Sequence, residues 1–561
     1  MRLKKRPIAL LLAVLMLVSL CGCDPMSLLP SGYDITKLER AFSGVDIIRD
    51  DTLTFDQLEY SRPDVGAMKS LAGNIQKLLD EHASRKDVVS SLDEFFEMYS
   101  NFSTMAVLSR IYCDLDVNDE YYAGEYSYCS NMCGEVLRLY DDVMLACAGS
   151  HMYPFLDSKY FDGMLLENYY ASGEDGYIPD DELVELQTKE SELLNDYRRL
   201  LIDFYASDSY YKYEEYNGPA AEIYIELVKL RRAIAEEMGY DSYIEYAYDG
   251  FGREYEPDDL VEYTAAVKQK LVPLYKELSG ADAFDDMYYE LRELSEDETL
   301  SVLSAAVQKM GDGVYEPLQF MKNSGLYDIS ASDSKLDSSY VIYLDGYNVP
   351  YLFSKTFGLA DDVLTVGHEF GHYVDHYINY GVDLSNDSAE MFSQGMEYLL
   401  LEYIDDEELA AELTEYKMLN SLYVYISQLS LNEFEERVYA LSDEELTVEN
   451  INSIFSEVAE EYGYADEYDA DLLPCLWIDI PHLFNKPFYV ISYCVSDSAA
   501  FELYNLELGE SGRGLDAYLS LVDVSDEYGF LELLENEGLS SPLTADTIDR
   551  IAGTLKNRIA A

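Results

Sequence analysis

The sequence predicts a mainly α-helical protein with one small β-sheet. Two observations carry that reading. Through most of the chain, apolar residues recur at three- and four-residue spacing with charges between them. One stretch, Ser339 to Ser354, breaks that pattern with β-prone residues on either side of a turn. At 561 residues, 48% of them hydrophobic, the chain is long enough for two lobes with large cores. Its 53 tyrosines suit a core or a hydrated groove, because each pairs an aromatic body with a polar tip.

The N-terminus reads as a targeting signal. Arg2, Lys4, Lys5 and Arg6 precede an apolar run from Ile8 to Leu20, too short for a comfortable membrane span. The run ends at Leu20-Cys21-Gly22-Cys23, which resembles a bacterial lipobox. Cys23 fits the lipidated position, with Gly22 before it and Leu20 three places upstream. Residues 1–22 are therefore expected to be a lipoprotein signal peptide, and 23–37 a tether carrying Pro25, Pro30 and Gly32. Two or more acyl chains on Cys23 would hold the protein stably at the membrane, on the bacterial cell surface. Cleavage as an ordinary secretory signal stays open.

Residues 38–207 form an N-terminal helical region, of which Glu182 to Tyr205 is a clear example. The region 208–561 stays helical. Tyr224 to Glu237 reads as a helix stopped by Gly239, and Pro257-Asp258-Asp259 as a helix start with carboxylates in its first turn. Tyr340–Leu344 and Tyr351–Phe353 read as two strands joined at Asp345-Gly346, and either could pair with an extended peptide.

Of eight cysteines, Cys21 falls in the signal and Cys23 at the lipidation position. Cys113, Cys129, Cys133, Cys147, Cys475 and Cys494 remain, with no CxxC spacing to suggest a zinc ribbon or a thioredoxin motif. Export permits disulfides among the first four, and free buried thiols fit equally well. Acidic residues number 109 against 38 basic ones, for a formal charge of −71. That balance excludes a nucleic-acid partner, which needs clustered Lys and Arg. It leaves open a solvated acidic surface or the steering of cationic peptides.

The chemistry concentrates in His368-Glu369-Phe370-Gly371-His372. Asp361 or Asp362 is a good N-cap for a helix ending near Tyr380, with Gly381 as its stop. His368 and His372 then project from one face, one turn apart, and both reach one zinc ion. Glu369 is offset around the helix, where it reaches a water on the metal without ligating. His376 continues the series but lies about 12 Å from His368 along the axis, too far to share the ion. A catalytic zinc takes a third protein ligand. Downstream, Ser388 to Glu397 reads as the start of a second helix, with Glu390 and Glu397 on a shared face. Glu390 is the expected third ligand and Glu397 a supporting carboxylate, with the reverse assignment open.

His368 to His372, followed by Glu390, Ser393, Gln394 and Glu397, resembles the oligoendopeptidase F and thimet oligopeptidase family of zinc peptidases. Arg232 to Ala235 with Gly239, Tyr240, Tyr243, Arg253 and Pro257 is similar to a helical segment of oligoendopeptidase F. Pro481 to Tyr493 is similar to the family's His and Tyr segment. The resemblance covers roughly Tyr224 to Leu506. Two features depart from the family pattern: a shorter connector before Glu390, and Ile491 where the family carries an aromatic.

The resemblance implies a zincin-like fold of two helical lobes around a deep substrate channel, with the small sheet beside the H-E-x-x-H helix. It implies one Zn2+ per chain and short oligopeptide substrates. It also implies that His482 and Tyr489 stabilise the oxyanion and that Tyr493 contacts substrate. The expected reaction is hydrolysis of short oligopeptides outside the cell, with water activated by zinc and Glu369. A zinc carboxypeptidase and a catalytically inactive peptide-binding lipoprotein are the alternatives.

Overall fold

The structure is a computed structural model that describes residues 49, 52–161, 181–207, 209, 211–280, 283–284, 291–382 and 384–559. The expected signal peptide and tether, with the expected lipidation position Cys23, lie outside the described residues.

Four N-terminal helices, α1 (Val65–Asp80), α2 (Arg85–Leu115), α3 (Glu120–Ala148) and α4 (Tyr153–Tyr160), share a core of their own. Local capping fixes where they start. The Ser84 hydroxyl accepts the Asp87 N–H at 3.3 Å, and the Asp119 carboxylate accepts the Tyr121 N–H at 2.9 Å. Phe95, Phe96, Tyr99 and Val136 fill this core, and Cys129 and Cys133 are buried in it. All six cysteines from Cys113 to Cys494 are buried thiols outside any disulfide. Met105, Leu108 and Ile111 on α2 belong instead to the second, larger core, so α2 joins the two.

The larger core gathers α5 (Asp181–Ala206), α6 (Lys212–Glu237), α7 (Tyr243–Gly250), α8 (Leu260–Gly280), α9 (Glu296–Met310) and α10 (Asp312–Ser324). After the sheet come α11 (Asp362–Ile378), α12 (Asn386–Leu401), α13 (Glu407–Tyr439), α14 (Val448–Tyr462) and α15 (Pro481–Asn485). The chain closes with α16 (Ile491–Gly509), α17 (Arg513–Asp523), α18 (Phe530–Asn536) and α19 (Ala545–Ile559). Helix α6 starts well before Tyr224. Gly218-Pro219 punctuates the pattern there, yet the helix runs through it because Tyr213, Ala220, Ala221 and Tyr224 bury against the core. Among the described residues no helix is long and apolar enough to cross a membrane.

The sheet has three strands, β1 (Tyr327–Asp328), β2 (Ser339–Leu344) and β3 (Val349–Ser354), in the order β1-β3-β2. The hairpin pairs Ser339 with Ser354 through Leu344 with Val349. Its turn docks on α2, where the Gly346 N–H donates to Thr104 Oγ1 at 2.8 Å and the Ser103 hydroxyl donates to Asp345 Oδ2 at 2.7 Å. A Cβ on Gly346 would stand 2.6 Å from Thr104 Oγ1, so this approach requires glycine. The two-residue β1 has too little sequence for its own alternation to show, and it pairs parallel to β3. Strand β3 is buried at every position with both edges taken, which removes Tyr351–Phe353 as a partner for an extended peptide. Helix α11 lies across β2 and β3, which fixes the H-E-F-G-H segment beside the sheet.

Candidate metal centre and active site

Helix α11 starts and stops by devices close to, but not the same as, those its sequence suggests. Asp361 occupies the N-cap position without a side-chain cap bond. The Asp362 carboxylate instead accepts the N–H groups of Phe357, Gly358 and Leu359 at 3.0, 2.7 and 3.1 Å, pinning the loop that enters the helix. The helix ends at Ile378, and the chain reverses through two left-handed residues, Tyr380 (φ 55°) and Gly381 (φ 71°). Four residues later Ser385 caps α12, accepting the Ser388 N–H at 3.3 Å. The short connector is therefore sufficient, because the reversal takes place in two residues.

Gly371 sets the distance between the two helices. A Cβ there would lie 2.6 Å from the Phe392 carbonyl oxygen and 2.6 Å from Ser393 Cα. Without a side chain, α11 presses directly on the α12 backbone. This contact brings Glu390 to the histidine face.

Ligating atoms of His368, His372 and Glu390 all lie within 4.8 Å of one another. His368 Nε2 stands 3.6 Å from Glu390 Oε2, and the two imidazole rings have centroids 5.1 Å apart. His372 is partly exposed, whereas His368 and Glu390 are buried. On its other side, His368 Nδ1 is 2.9 Å from Glu397 Oε1. That bond assigns the proton to Nδ1 and leaves the Nε2 lone pair free for an ion. Glu397 is held in turn by Lys417, 2.8 Å from its Oε2. Lys417 also faces Asp497 at 4.0 Å, and the Tyr398 hydroxyl donates to Asp497 at 2.9 Å.

The donor set fits a metal ion. His368 Nε2 is buried without a hydrogen-bond partner, and two imidazoles with one carboxylate are ordinary ligands of a catalytic divalent metal. Behind the ligands, the Glu397–Lys417 pair performs the orienting role that such ligands need. Glu369 is fully buried, and among the described residues neither of its carboxylate oxygens has a hydrogen-bond partner.

Electrostatics separate the roles of the carboxylates. Burial pushes Glu369 up to about 8, helped by Glu390 and opposed by His368. Burial also lifts Glu390 to about 7 against the pull of His368 and Ser393. For Glu397 burial works upward too, but Lys417 and His368 outweigh it and hold the carboxyl below its usual range. Burial disfavours the His368 cation, yet the bond to Glu397 raises this imidazole to about 9. Burial and then His368 keep His372 well below its usual value. Lys417→Ala is expected to weaken metal binding by about 10–100-fold, as measured by competition with a chelator of known affinity. Unchanged affinity would remove Lys417 from the support of His368.

His376 is not in the cluster. Its ring faces Tyr343 at 6.0 Å, and burial lowers it to about 4. His482, on α15, is buried with Nδ1 unpartnered and stacks on Tyr489 at 5.9 Å. Tyr489 meets Tyr493 edge-on at 5.4 Å. Gln394 on α12 ties this segment to the metal ligands, its Nε2 donating to the Tyr493 carbonyl at 3.3 Å.

Just before Tyr489, Phe488 sits at φ 65°, a conformation that costs a bulky residue energy and persists only when its surroundings impose it. The buried Glu435 and the partly buried Arg253 do so. Glu435 Oε2 accepts the Phe488 N–H at 2.9 Å. Arg253 Nη2 donates to the Phe488 carbonyl at 2.7 Å and to Ser492 Oγ at 2.9 Å. Sequence patterns missed Glu435, Lys417 and Asp497. The only signal they carried was a charge placed on an apolar helix face, which distinguishes a buried partner poorly from a solvated one.

Residues 306–518 match the profile of Peptidase family M3, and residues 55–166 that of the Peptidase M3 N-terminal domain. Together these regions take in more than half of the chain, which belongs to Peptidase family M3. Within it, the chain is 27% identical over 215 residues to "Oligoendopeptidase F homolog" of Lactococcus lactis subsp. lactis (strain IL1403). It is also 27% identical over 218 residues to "Oligoendopeptidase F, plasmid" of Lactococcus lactis subsp. cremoris. Each match spans 36% of this chain and 35% of the relative. The fold is similar over a greater length. PZ peptidase A with an inhibitor superposes with a TM-score of 0.72 at 21% identity, over 90% of this chain and 99% of that one. Oligoendopeptidase-F from Enterococcus faecium gives 0.53 at 15% identity, over 88% and 97%.

Proposed function

We propose that the protein is a zinc-dependent endopeptidase that hydrolyses short oligopeptides outside the cell, anchored by a lipid on Cys23. The observation that supports this most is Glu369. It is a fully buried carboxylate without a hydrogen-bond partner among the described residues, next in sequence to a histidine of a His–His–Glu cluster. A group buried at such cost is retained where chemistry needs it.

His368, His372 and Glu390 would hold the zinc. When bound, zinc supplies Lewis acidity that polarises a peptide carbonyl and makes water acidic. Glu369 takes a proton from the attacking water on a carboxylate oxygen and passes it to the leaving amine nitrogen. His482 and Tyr489 donate hydrogen bonds to the developing oxyanion, and Tyr493 bears on the substrate. Glu397 and Lys417 hold His368 in the tautomer that ligates. Arg253 and Glu435 hold the turn that aims Tyr489. Among the described residues β2 pairs with β3 alone, and its other edge is the place for an extended peptide to add as a strand.

Arg253→Ala is expected to lower kcat by about 10–100-fold with metal content unchanged, because a misaimed donor costs rate rather than metal. Stopped-time assays with metal analysis on the same samples check this, and a drop in metal content would assign Arg253 a structural role instead. The reading itself is tested by digesting a peptide of mid length and following products by mass spectrometry. Internal cleavage supports it. Stepwise loss of C-terminal residues would make the protein a carboxypeptidase, and no cleavage at all would leave it a binding protein.

A further inference from the structure

The chain has six histidines. Four of them, His368, His372, His376 and His482, lie on the catalytic helix or in the His–Tyr segment. The other two meet each other far from that site. His82 Nδ1 and His151 Nδ1 are 2.9 Å apart, with ring centroids at 4.2 Å and the planes at 77°. In a chain so poor in histidine, the meeting of residues 69 positions apart demands an explanation.

We propose that His82 and His151 form a second metal site, for a borderline divalent cation of the Cu2+ or Ni2+ type. The separation supports this class of ion. Two nitrogens bound at about 2.05 Å and at right angles stand about 2.9 Å apart, the cis arrangement of square-planar or octahedral ions, whereas tetrahedral zinc spreads them to about 3.3 Å. Both rings turn the same nitrogen, Nδ1, toward each other. With both protons on Nε2, each Nδ1 offers a lone pair to the ion.

The surroundings favour a cation. His82 follows the end of α1 and His151 the end of α3, so two helix C-termini with their partial negative charge converge there. The pair borders a groove of about 710 Å³ whose walls include Asp80, Asp142, Lys69 and Arg138, so the remaining coordination positions of an ion held by the two imidazoles are open to water from the groove. His82 is held at φ 53°, in the left-handed region, and this turn swings its ring onto His151. Both residues are exposed, so an ion has direct access from solvent. Bound there, it ties the α1–α2 turn to the α3–α4 turn and fastens the N-terminal helices together.

The test compares zinc-loaded wild type with His82→Asn and His151→Gln. Asparagine tolerates the left-handed conformation, and both positions are exposed, so the variants keep their fold, which circular dichroism verifies. Each protein is titrated with CuCl2, and bound copper is counted after gel filtration. Wild type is expected to hold one more equivalent than either variant, with an electron paramagnetic resonance spectrum showing two coordinated imidazole nitrogens. Equal copper in all three proteins would overturn the proposal and leave the pair as a plain Nδ1–H···Nδ1 hydrogen bond.

Discussion

Glu369→Gln is expected to lower the rate of peptide hydrolysis by about 10²–10⁴-fold while leaving metal affinity unchanged, the range that general acid–base catalysis supplies. The amide has the size and shape of the carboxylate but cannot take up a proton. Neither carboxylate oxygen has a hydrogen-bond partner among the described residues, so the substitution breaks no hydrogen bond that orients His368 or His372. It also removes a buried ionisable group. Because burial raises Glu369 from 4.5 to about 8, the folded state binds this proton more tightly than the unfolded chain. For metal-free protein its contribution to stability is therefore full below pH 4.5 and declines as the pH rises toward 8. Metal-free Glu369→Gln should lose less stability than wild type across that window. Hydrolysis at the wild-type rate by this variant would exclude Glu369 as the base.

Gly371→Ala is expected to cost about 1–3 kcal/mol of stability by overpacking, and to weaken metal binding at the same time. The added methyl meets backbone on two sides, the Phe392 carbonyl and Ser393 Cα, and backbone cannot turn aside as a long side chain can. Helix α12 must withdraw from α11, carrying Glu390 away from the histidines. Denaturant unfolding and metal titration measure the two effects. Gly367→Ala is the control, since a Cβ there meets only the flexible end of Leu400. Equal effects at both glycines would show that close approach at Gly371 does not set the site.

What could be read in the sequence was whatever repeats or recurs locally. Helical periodicity, the β-prone hairpin from Ser339 to Ser354 and the four-residue spacing of the histidines are properties of neighbouring residues. Rise per residue was enough to separate His376 from the pair. The groups that complete the site come from elements far along the chain. Lys417 reaches Glu397 from α13 and Asp497 faces Lys417 from α16, and nothing in their own segments distinguishes them from surface charges. The left-handed Phe488 was equally hidden, because its conformation is imposed by Glu435 and Arg253 rather than by its own preference. Asp362 shows the same limit at short range: the capping rule located a helix start, but the carboxylate pins the loop before it. The His82–His151 contact depends on where two helices end, which neither histidine's own segment fixes.

The most direct test of the metal centre is removal and return of the ion. Chelator-treated protein is expected to lose peptide hydrolysis and to regain it with one equivalent of zinc, whereas His368→Ala, treated alike, regains none. Full hydrolysis by metal-free wild type, or recovery of His368→Ala with one equivalent, would contradict the assignment of His368, His372 and Glu390 as the ligands of a catalytic ion.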